Sequence, residues 1–380
     1  MRIDYLCAVD IGNFDAQRTH ILEVAGEMAR AGCDLTLILP DFRGERESLP
    51  VPSRWLPVRT RRSKVKFVEY ELRLAARLWR RWRERRPDCV YLRKGFLTLL
   101  PVLLARRMGI PVVVEVNGIV ADEVGMAFGL PAAAVRLFAR IEAATCRHAA
   151  AVVAVTEGLG ACLAERYGVA AERIHIIGNG VNGERFAPPP DDADIPFHLG
   201  FVGNLAPWAG VATLIRALPS LVAAIPETRC LIVGDGMERT ALAALAAELG
   251  VGERVTFAGK VAPEAVPDWV RRCRVCVVPA VRRRNEAIGG SSLKLFEYLA
   301  CGKPAIVSDI RGLDVVAELG VGRVVPAEDS EALAAAAVAL LSDGDRLAAM
   351  GRLARAVAVE RFSWTGVTGR VLAVCEQVRL

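Results

Sequence analysis

The sequence predicts an α/β protein made of two doubly wound, Rossmann-like domains facing across a cleft. Three observations carry that expectation. Short β-branched runs alternate with longer helical patterns from end to end, which marks stacked βαβ units with parallel sheets. The alternation breaks once, at Ala187-Pro-Pro-Pro-Asp-Asp-Ala-Asp-Ile-Pro196, whose prolines and acids continue neither element type, and then restarts. The chain's 380 residues are more than twice the usual size of one domain. The expected division is an N-terminal domain over 1–187, a linker over 188–196 and a C-terminal domain over 197–361.

Taken in order, Ile3–Val9, Leu35–Leu39, Cys89–Leu92, Val112–Val116, Val152–Val155 and Ile174–Ile177 read as strands of the first domain. Arg18–Ala31 and Ala132–Ala149 read as helices between them. The second domain repeats the pattern with strands at Leu199–Val202, Cys230–Val233, Val255–Phe257, Val275–Val278 and Ala305–Val307. Ligands of such sheets sit beyond the carboxyl ends of the strands, so polar residues there are the candidates for chemistry.

Composition excludes several classes. The net charge of +6 is local: residues 59–86 hold twelve Lys or Arg against three Glu, a charge of +9, and the remainder sums to −3. A single basic segment on a slightly acidic body argues against a duplex nucleic-acid binder. The longest apolar stretches, such as Leu99–Ala105, fall short of the roughly 20 residues that span a bilayer. The start lacks the features of a secretory signal, and ten scattered cysteines, most of them in apolar contexts, fit a reducing cytoplasm. Cys273-Arg-Arg-Cys276 has no second pair at metal spacing and reads as structural; no metal site is expected.

The most informative segment is Gly289-Gly-Ser-Ser-Leu-Lys-Leu-Phe-Glu-Tyr-Leu-Ala-Cys-Gly-Lys-Pro304. A glycine pair lets backbone approach a ligand, and Ser291 or Ser292 caps a helix whose free N–H groups favour phosphate. Lys294 adds a charge in the first turn, and Glu297 lies one turn deeper on the same face. That offset suits a nucleoside diphosphate, with phosphates at the helix end and ribose hydroxyls on the carboxylate. A capped helix carrying a surface Lys/Glu pair is the alternative reading of these residues alone.

Ser292 to Pro304 resembles the nucleotide-sugar signature of the retaining glycosyltransferases of family 4, which have the GT-B fold. Further resemblances follow in order: Gly12-Asn13 with Thr19-His20, Val153-Ala-Val-Thr-Glu157, Tyr167-Gly-Val169 and Ile177-Gly-Asn-Gly-Val-Asn-Gly-Glu-Arg-Phe186. In the second half they are Gly203-Asn-Leu-Ala-Pro-Trp-Ala-Gly-Val211 and Leu231-Ile-Val-Gly-Asp-Gly236. The resemblance implies transfer of a sugar from a nucleotide-diphosphate donor to an acceptor hydroxyl with retention and without a metal or other cofactor. It implies a donor site of Gly12, Asn13, Gly203, Asn204, Ser291, Ser292, Leu293, Lys294 and Glu297, and a C-terminal helix (362–380) packed back on the first domain. The implied acceptor is a cell-surface glycan or its lipid-linked precursor.

Three positions depart from the family pattern. Gly289 stands eight residues before Glu297, where the family has a glutamate, and Asn204 and Ala209 stand where it has an Arg and a Lys. Lys294 and the helix end are the expected substitutes for the missing cations, with Arg282, Arg283 or Arg284 reaching in. The same departures keep a non-catalytic nucleotide-sugar-binding protein, or a partner subunit of another transferase, as the alternative. A sugar-nucleotide epimerase or a phosphorylase of the same fold is a further alternative, and the latter would need a cofactor-binding lysine motif that the sequence lacks.

In the first domain, Glu115 and Asn117 end a strand and, with Lys294, are the candidate catalytic residues. Arg18, His20, Arg93 and Glu123 are candidates for the acceptor side. In the basic segment Phe67, Tyr70, Leu74, Leu78 and Trp82 recur at helical spacing, with Val68 and Trp79 widening the apolar face. An amphipathic helix of this kind suits either a core with an arginine-rich outer face or an anionic membrane surface at the inner face of the cell membrane.

Overall fold

The structure is a computed structural model that describes residues 1–12, 16–44, 46, 48–59, 65–95, 97–122, 131–190, 194–286 and 288–379. It divides into two compact units, Met1–Gly178 with Trp364–Leu380, and Asn179–Ser363.

The first unit holds a seven-stranded parallel sheet in the order β3-β2-β1-β4-β5-β6-β7. Its strands are β1 (Arg2–Cys7), β2 (Asp34–Asp41), β3 (Ser53–Pro57), β4 (Cys89–Arg93), β5 (Val112–Val116), β6 (Ala151–Ala154) and β7 (Ile174–Ile176). The helices are α1 (Ala16–Arg30), α2 (Val65–Glu84), α3 (Leu99–Arg107), α4 (Ala132–His148) and α5 (Glu157–Tyr167). Strands β4, β5 and β6 are buried along their whole length, which is why they read as apolar runs, interrupted only by Arg93 and Glu115 toward the carboxyl ends of β4 and β5.

The second unit holds a six-stranded parallel sheet in the order β10-β9-β8-β11-β12-β13. These strands are β8 (Phe197–Val202), β9 (Cys230–Val233), β10 (Val255–Gly259), β11 (Cys273–Val278), β12 (Ala305–Ser308) and β13 (Gly322–Val325). The helices are α6 (Val211–Ala224), α7 (Arg239–Glu248), α8 (Val266–Arg271), α9 (Arg282–Asn285), α10 (Leu293–Ala300), α11 (Val315–Glu318), α12 (Ser330–Leu341) and α13 (Gly344–Arg361). A last helix, α14 (Trp364–Gln377), belongs to the first unit and packs on α1 and β4. In each sheet the strand order reverses once, between β1 and β4 and between β8 and β11, and such a reversal opens a crevice at the carboxyl ends.

Several expectations need correction. The division falls at Gly178–Asn179 rather than at 187, because the segment after Asn179 is tied into the second unit. Val181 donates to the Phe362 carbonyl (2.7 Å), Arg271 Nε donates to the Ala187 carbonyl (2.8 Å), and Asn179 binds Ser291. Strand β1 stops at Cys7, two residues before the expected end. Two edge strands, β3 and β13, carried no apolar run to betray them; Ser53–Pro57 is only half-buried.

Helix α2 is amphipathic as its spacing predicts, with Tyr70, Leu74, Leu78 and Trp82 buried against the sheet. Asp4 anchors it, accepting from Trp82 Nε1 (2.8 Å) and from Arg81 Nε (2.9 Å) and Nη2 (2.7 Å). Val68 and Trp79 do not widen that face. They are 46% and 47% exposed and form an outward stripe with Leu72, flanked by exposed Arg77, Arg80 and Arg83. Among the described residues no helix is long and apolar enough to cross a membrane. All ten cysteines are free, and Cys273 and Cys276 lie buried in β11.

Candidate active site

In the second unit the site forms where β8 ends and α10 begins. Val202 is the last residue of β8, and Gly203 follows at φ 153°. The buried hydroxyl of Tyr298, on α10, accepts from the Val202 amide (2.7 Å) and donates to the Val202 carbonyl (3.1 Å). One turn earlier on the same helix face, Lys294 lays its ammonium over the Phe201 ring, 4.1 Å from the centroid. It lies so close to Gly203 that a Cβ there would collide with Nζ. Gly234, at the end of β9, is more rigidly constrained, since a side chain there would strike the Gly203 backbone carbonyl rather than the end of a flexible side chain. The strand ends therefore offer bare backbone beside one cation.

Burial lowers the Lys294 ammonium to about 8, against the opposing pull of Glu297 one turn deeper. No carboxylate makes an ion pair with Lys294 among the described residues. Ser292 sits at the N-cap of α10 without a side-chain capping bond, so its hydroxyl leaves the Leu293 and Lys294 amides uncapped, while the Leu295 amide donates to the Ser292 carbonyl (3.0 Å). Ser291 is otherwise engaged. Its Oγ accepts from the Asn179 amide (2.9 Å), and Asn179 Nδ2 donates to the Ser291 carbonyl (2.7 Å), which ties the 179 segment to this loop. Arg282 is not available as a substitute cation, because it grips Asp309 through two bonds of 2.7 and 2.6 Å. The side chains of Arg283 and Arg284 lie outside the described residues. Gly289 is buried at φ 72°, which no glutamate adopts readily, and Asn204 is exposed with Oδ1 beside Gly236.

In the first unit the carboxyl ends of β4 and β5 gather four of the expected residues. Glu115 is 1% exposed and both its oxygens are engaged. Oε1 accepts from Arg93 Nη1 and Asn117 Nδ2 and stands 2.9 Å from His20 Nε2; Oε2 accepts from Tyr91 Oη (2.6 Å). Burial alone would push this carboxyl up, but the charges of His20 and Arg93 and hydrogen bonds from His20 and Tyr91 outweigh it. The carboxyl is held far below its ordinary value and stays ionised. Such a group orients its neighbours and takes no proton from a substrate. Asn117, half-buried, is the member of the cluster turned toward solvent. Trp364, from α14, meets the His20 ring edge-on at 5.0 Å.

Arg18 is placed apart from this cluster, donating to the Ile11 carbonyl (2.9 Å), while the Gly12 amide donates to Asp10 Oδ1 (3.1 Å). Both bonds shape the loop that follows β1. Asn13 and Glu123 lie outside the described residues. Sequence reasoning missed Tyr91, Phe201, Tyr298 and Trp364. Phe201 and Tyr298 adjoin motif residues, whereas nothing local marks Trp364, whose partner is more than 300 residues away. Among the described residues no three His, Cys, Asp or Glu stand where they hold a metal ion.

Two doubly wound domains of this order, each with polar groups at its strand-order reversal, define the GT-B class of folds. Residues 17–185 match the family model Glycosyltransferase Family 4 and residues 196–343 the model Glycosyl transferases group 1, and the chain belongs to this family of glycosyltransferases. It is 33% identical over 230 residues to a D-inositol 3-phosphate glycosyltransferase of Thermobispora bispora, covering 56% of this chain and 52% of the relative. It is 32% identical over 212 residues to a GDP-mannose-dependent alpha-(1-6)-phosphatidylinositol monomannoside mannosyltransferase of Mycolicibacterium smegmatis, covering 53% and 55%. The chain thus spans about half the length of the curated relatives it matches. The fold is that of sucrose-phosphate synthase from Thermosynechococcus elongatus, with a TM-score of 0.77 at 20% identity over 100% of this chain and 99% of that one.

Proposed function

We propose that the protein moves a sugar from a nucleoside-diphosphate donor to an acceptor hydroxyl, with retention at the anomeric carbon and no metal ion. The observation that carries this reading is Lys294. It is a half-buried ammonium without a carboxylate partner among the described residues, at the open end of a helix and against bare glycine backbone. A diphosphate placed there meets the helix amides and Lys294, and Glu297 takes the ribose hydroxyls one turn deeper. As the sugar leaves, negative charge grows on the diphosphate, and the lysine and helix end stabilise it. The leaving phosphate takes up the acceptor proton on the same face of the sugar. In the first unit, Glu115 holds His20, Arg93 and Asn117 in place, and Asn117 with His20 addresses sugar or acceptor hydroxyls.

The named substrates of the two relatives, an inositol phosphate and a phosphatidylinositol mannoside, support a polyol or glycolipid acceptor. The outward stripe of α2 supports a peripheral place at an anionic membrane on the cytoplasmic side, where a lipid-linked acceptor is met. The test is turnover across a panel of UDP-, GDP-, dTDP- and ADP-sugars with polyol and glycolipid acceptors. Product from one donor class supports the reading. Tight binding of a nucleotide sugar with no turnover supports the second reading, a non-catalytic nucleotide-sugar-binding protein, which Gly289, Asn204 and Ala209 favour.

A further inference from the structure

We infer that Tyr298 is a positioning residue of the donor site: its hydroxyl, bonded to both backbone groups of Val202, sets the height of α10 against the end of β8 and so holds Lys294 over Phe201 beside Gly203. This rests on the proposed role of Lys294 toward the diphosphate. Tyr298 itself touches no ligand, being fully buried.

The geometry is a two-point attachment between one helix face and three consecutive residues at the end of β8, Phe201 to Gly203. Lys294 and Tyr298 are four apart and share a face of α10. Phe201 and Gly203 are two apart on the strand end, and both lie against Lys294. Between them Val202 uses its amide and carbonyl on the Tyr298 hydroxyl, while the Gly203 amide takes the Val233 carbonyl (2.9 Å). The pair of bonds therefore ties the end of β8 directly to the face of α10 that carries the ammonium. The clearance is small, since a single added carbon at Gly203 would strike Nζ. A displacement of the helix by even a fraction of an ångström changes what Lys294 rests on. Leu295 and Leu299, both buried, hold the helix to the core through apolar packing alone, without a directional bond to the strand. Tyr298→Phe keeps the ring and its packing and removes only the two bonds, so it isolates the attachment from the fold.

Calorimetric titration of UDP and of GDP between pH 6.5 and 9.5 tests this on wild type, Tyr298→Phe and Lys294→Ala. Glu297 is the charged neighbour that acts on Lys294, and wild-type binding should weaken as pH rises through about 8. Tyr298→Phe should bind roughly tenfold more weakly, the worth of one or two net hydrogen bonds, with the midpoint moved toward the ordinary lysine value. A Tyr298→Phe protein that melts lower but keeps the wild-type affinity and midpoint would overturn the inference, leaving the tyrosine a structural residue. Lys294→Ala should lose most affinity and the pH dependence; if it binds as wild type does, the donor-site reading itself fails. Should Tyr298→Phe not fold, Phe201→Leu carries the test, because it removes the seat of the ammonium and should move the same midpoint. An unmoved midpoint there also overturns the inference.

Discussion

His20 Nε2 stands 2.9 Å from Glu115 Oε1 in the interior of the first unit, where the two side chains are 5% and 1% exposed. Glu115 is also the acceptor for Arg93, Tyr91 and Asn117, so one carboxylate organises residues from α1, β4 and the turn after β5. Glu115→Gln keeps the shape and removes the charge. Buried Arg93 then loses its counter-ion, and a loss of about 3–5 kcal/mol in stability at pH 7 is expected.

The sign of the pH dependence follows from the same cluster. The Glu115 carboxyl is lower in the folded protein than in the unfolded chain, so its contribution is complete above the unfolded value of 4.5 and is lost as pH falls below it. Urea unfolding from pH 7 to pH 3 should show a steep acid limb in wild type and a shallower one in Glu115→Gln. Equal slopes would mean that the carboxylate is not ionised in the native state.

Gly203→Ala tests the close approach at the donor site. The added carbon meets Lys294 Nζ, and φ 153° is outside the range that alanine favours. Nucleotide affinity should fall at least about tenfold by displacement of the ammonium, while the melting temperature shifts by only a few degrees. A normal affinity in calorimetry would show that Lys294 swings free of this seat.

The outward stripe of α2 makes a separate prediction. Leu72→Ser and Trp79→Ser change exposed side chains and should leave the melting temperature within about a degree or two. They should reduce sedimentation with phosphatidylserine vesicles severalfold, with little binding to neutral vesicles in any variant. Equal, weak sedimentation of wild type with both vesicle types would remove the membrane from the proposal.

Much of this fold was legible because its central strands are buried on both faces and therefore mostly apolar; the edge strands β3 and β13 lack that pressure and went unread. The alternation could not place the domain boundary, because a proline-rich segment shows where regular structure stops and not which unit it lies against. The tie was made by Val181 and Asn179, six and eight residues upstream of Ala187. On α2, spacing found the buried residues but could not tell Trp79 from Trp82, which sit only about 60° apart round the helix, one on the exposed side of the boundary and one on the buried side. At the donor site the glycines, Lys294 and Glu297 were marked by local chemistry. The Tyr298–Val202 bonds and the Glu115 cluster join residues distant in sequence, and no local pattern encodes those pairs.

The central claim is that Lys294 meets the diphosphate of a sugar donor. Its most direct test is single-turnover transfer or donor hydrolysis by wild type and Lys294→Ala with the nucleotide sugar that most raises the melting temperature. Expected is a loss of roughly 10²–10³-fold in rate on removal of the ammonium, the size of one lost oxyanion stabiliser. A Lys294→Ala enzyme that turns over at the wild-type rate would contradict it.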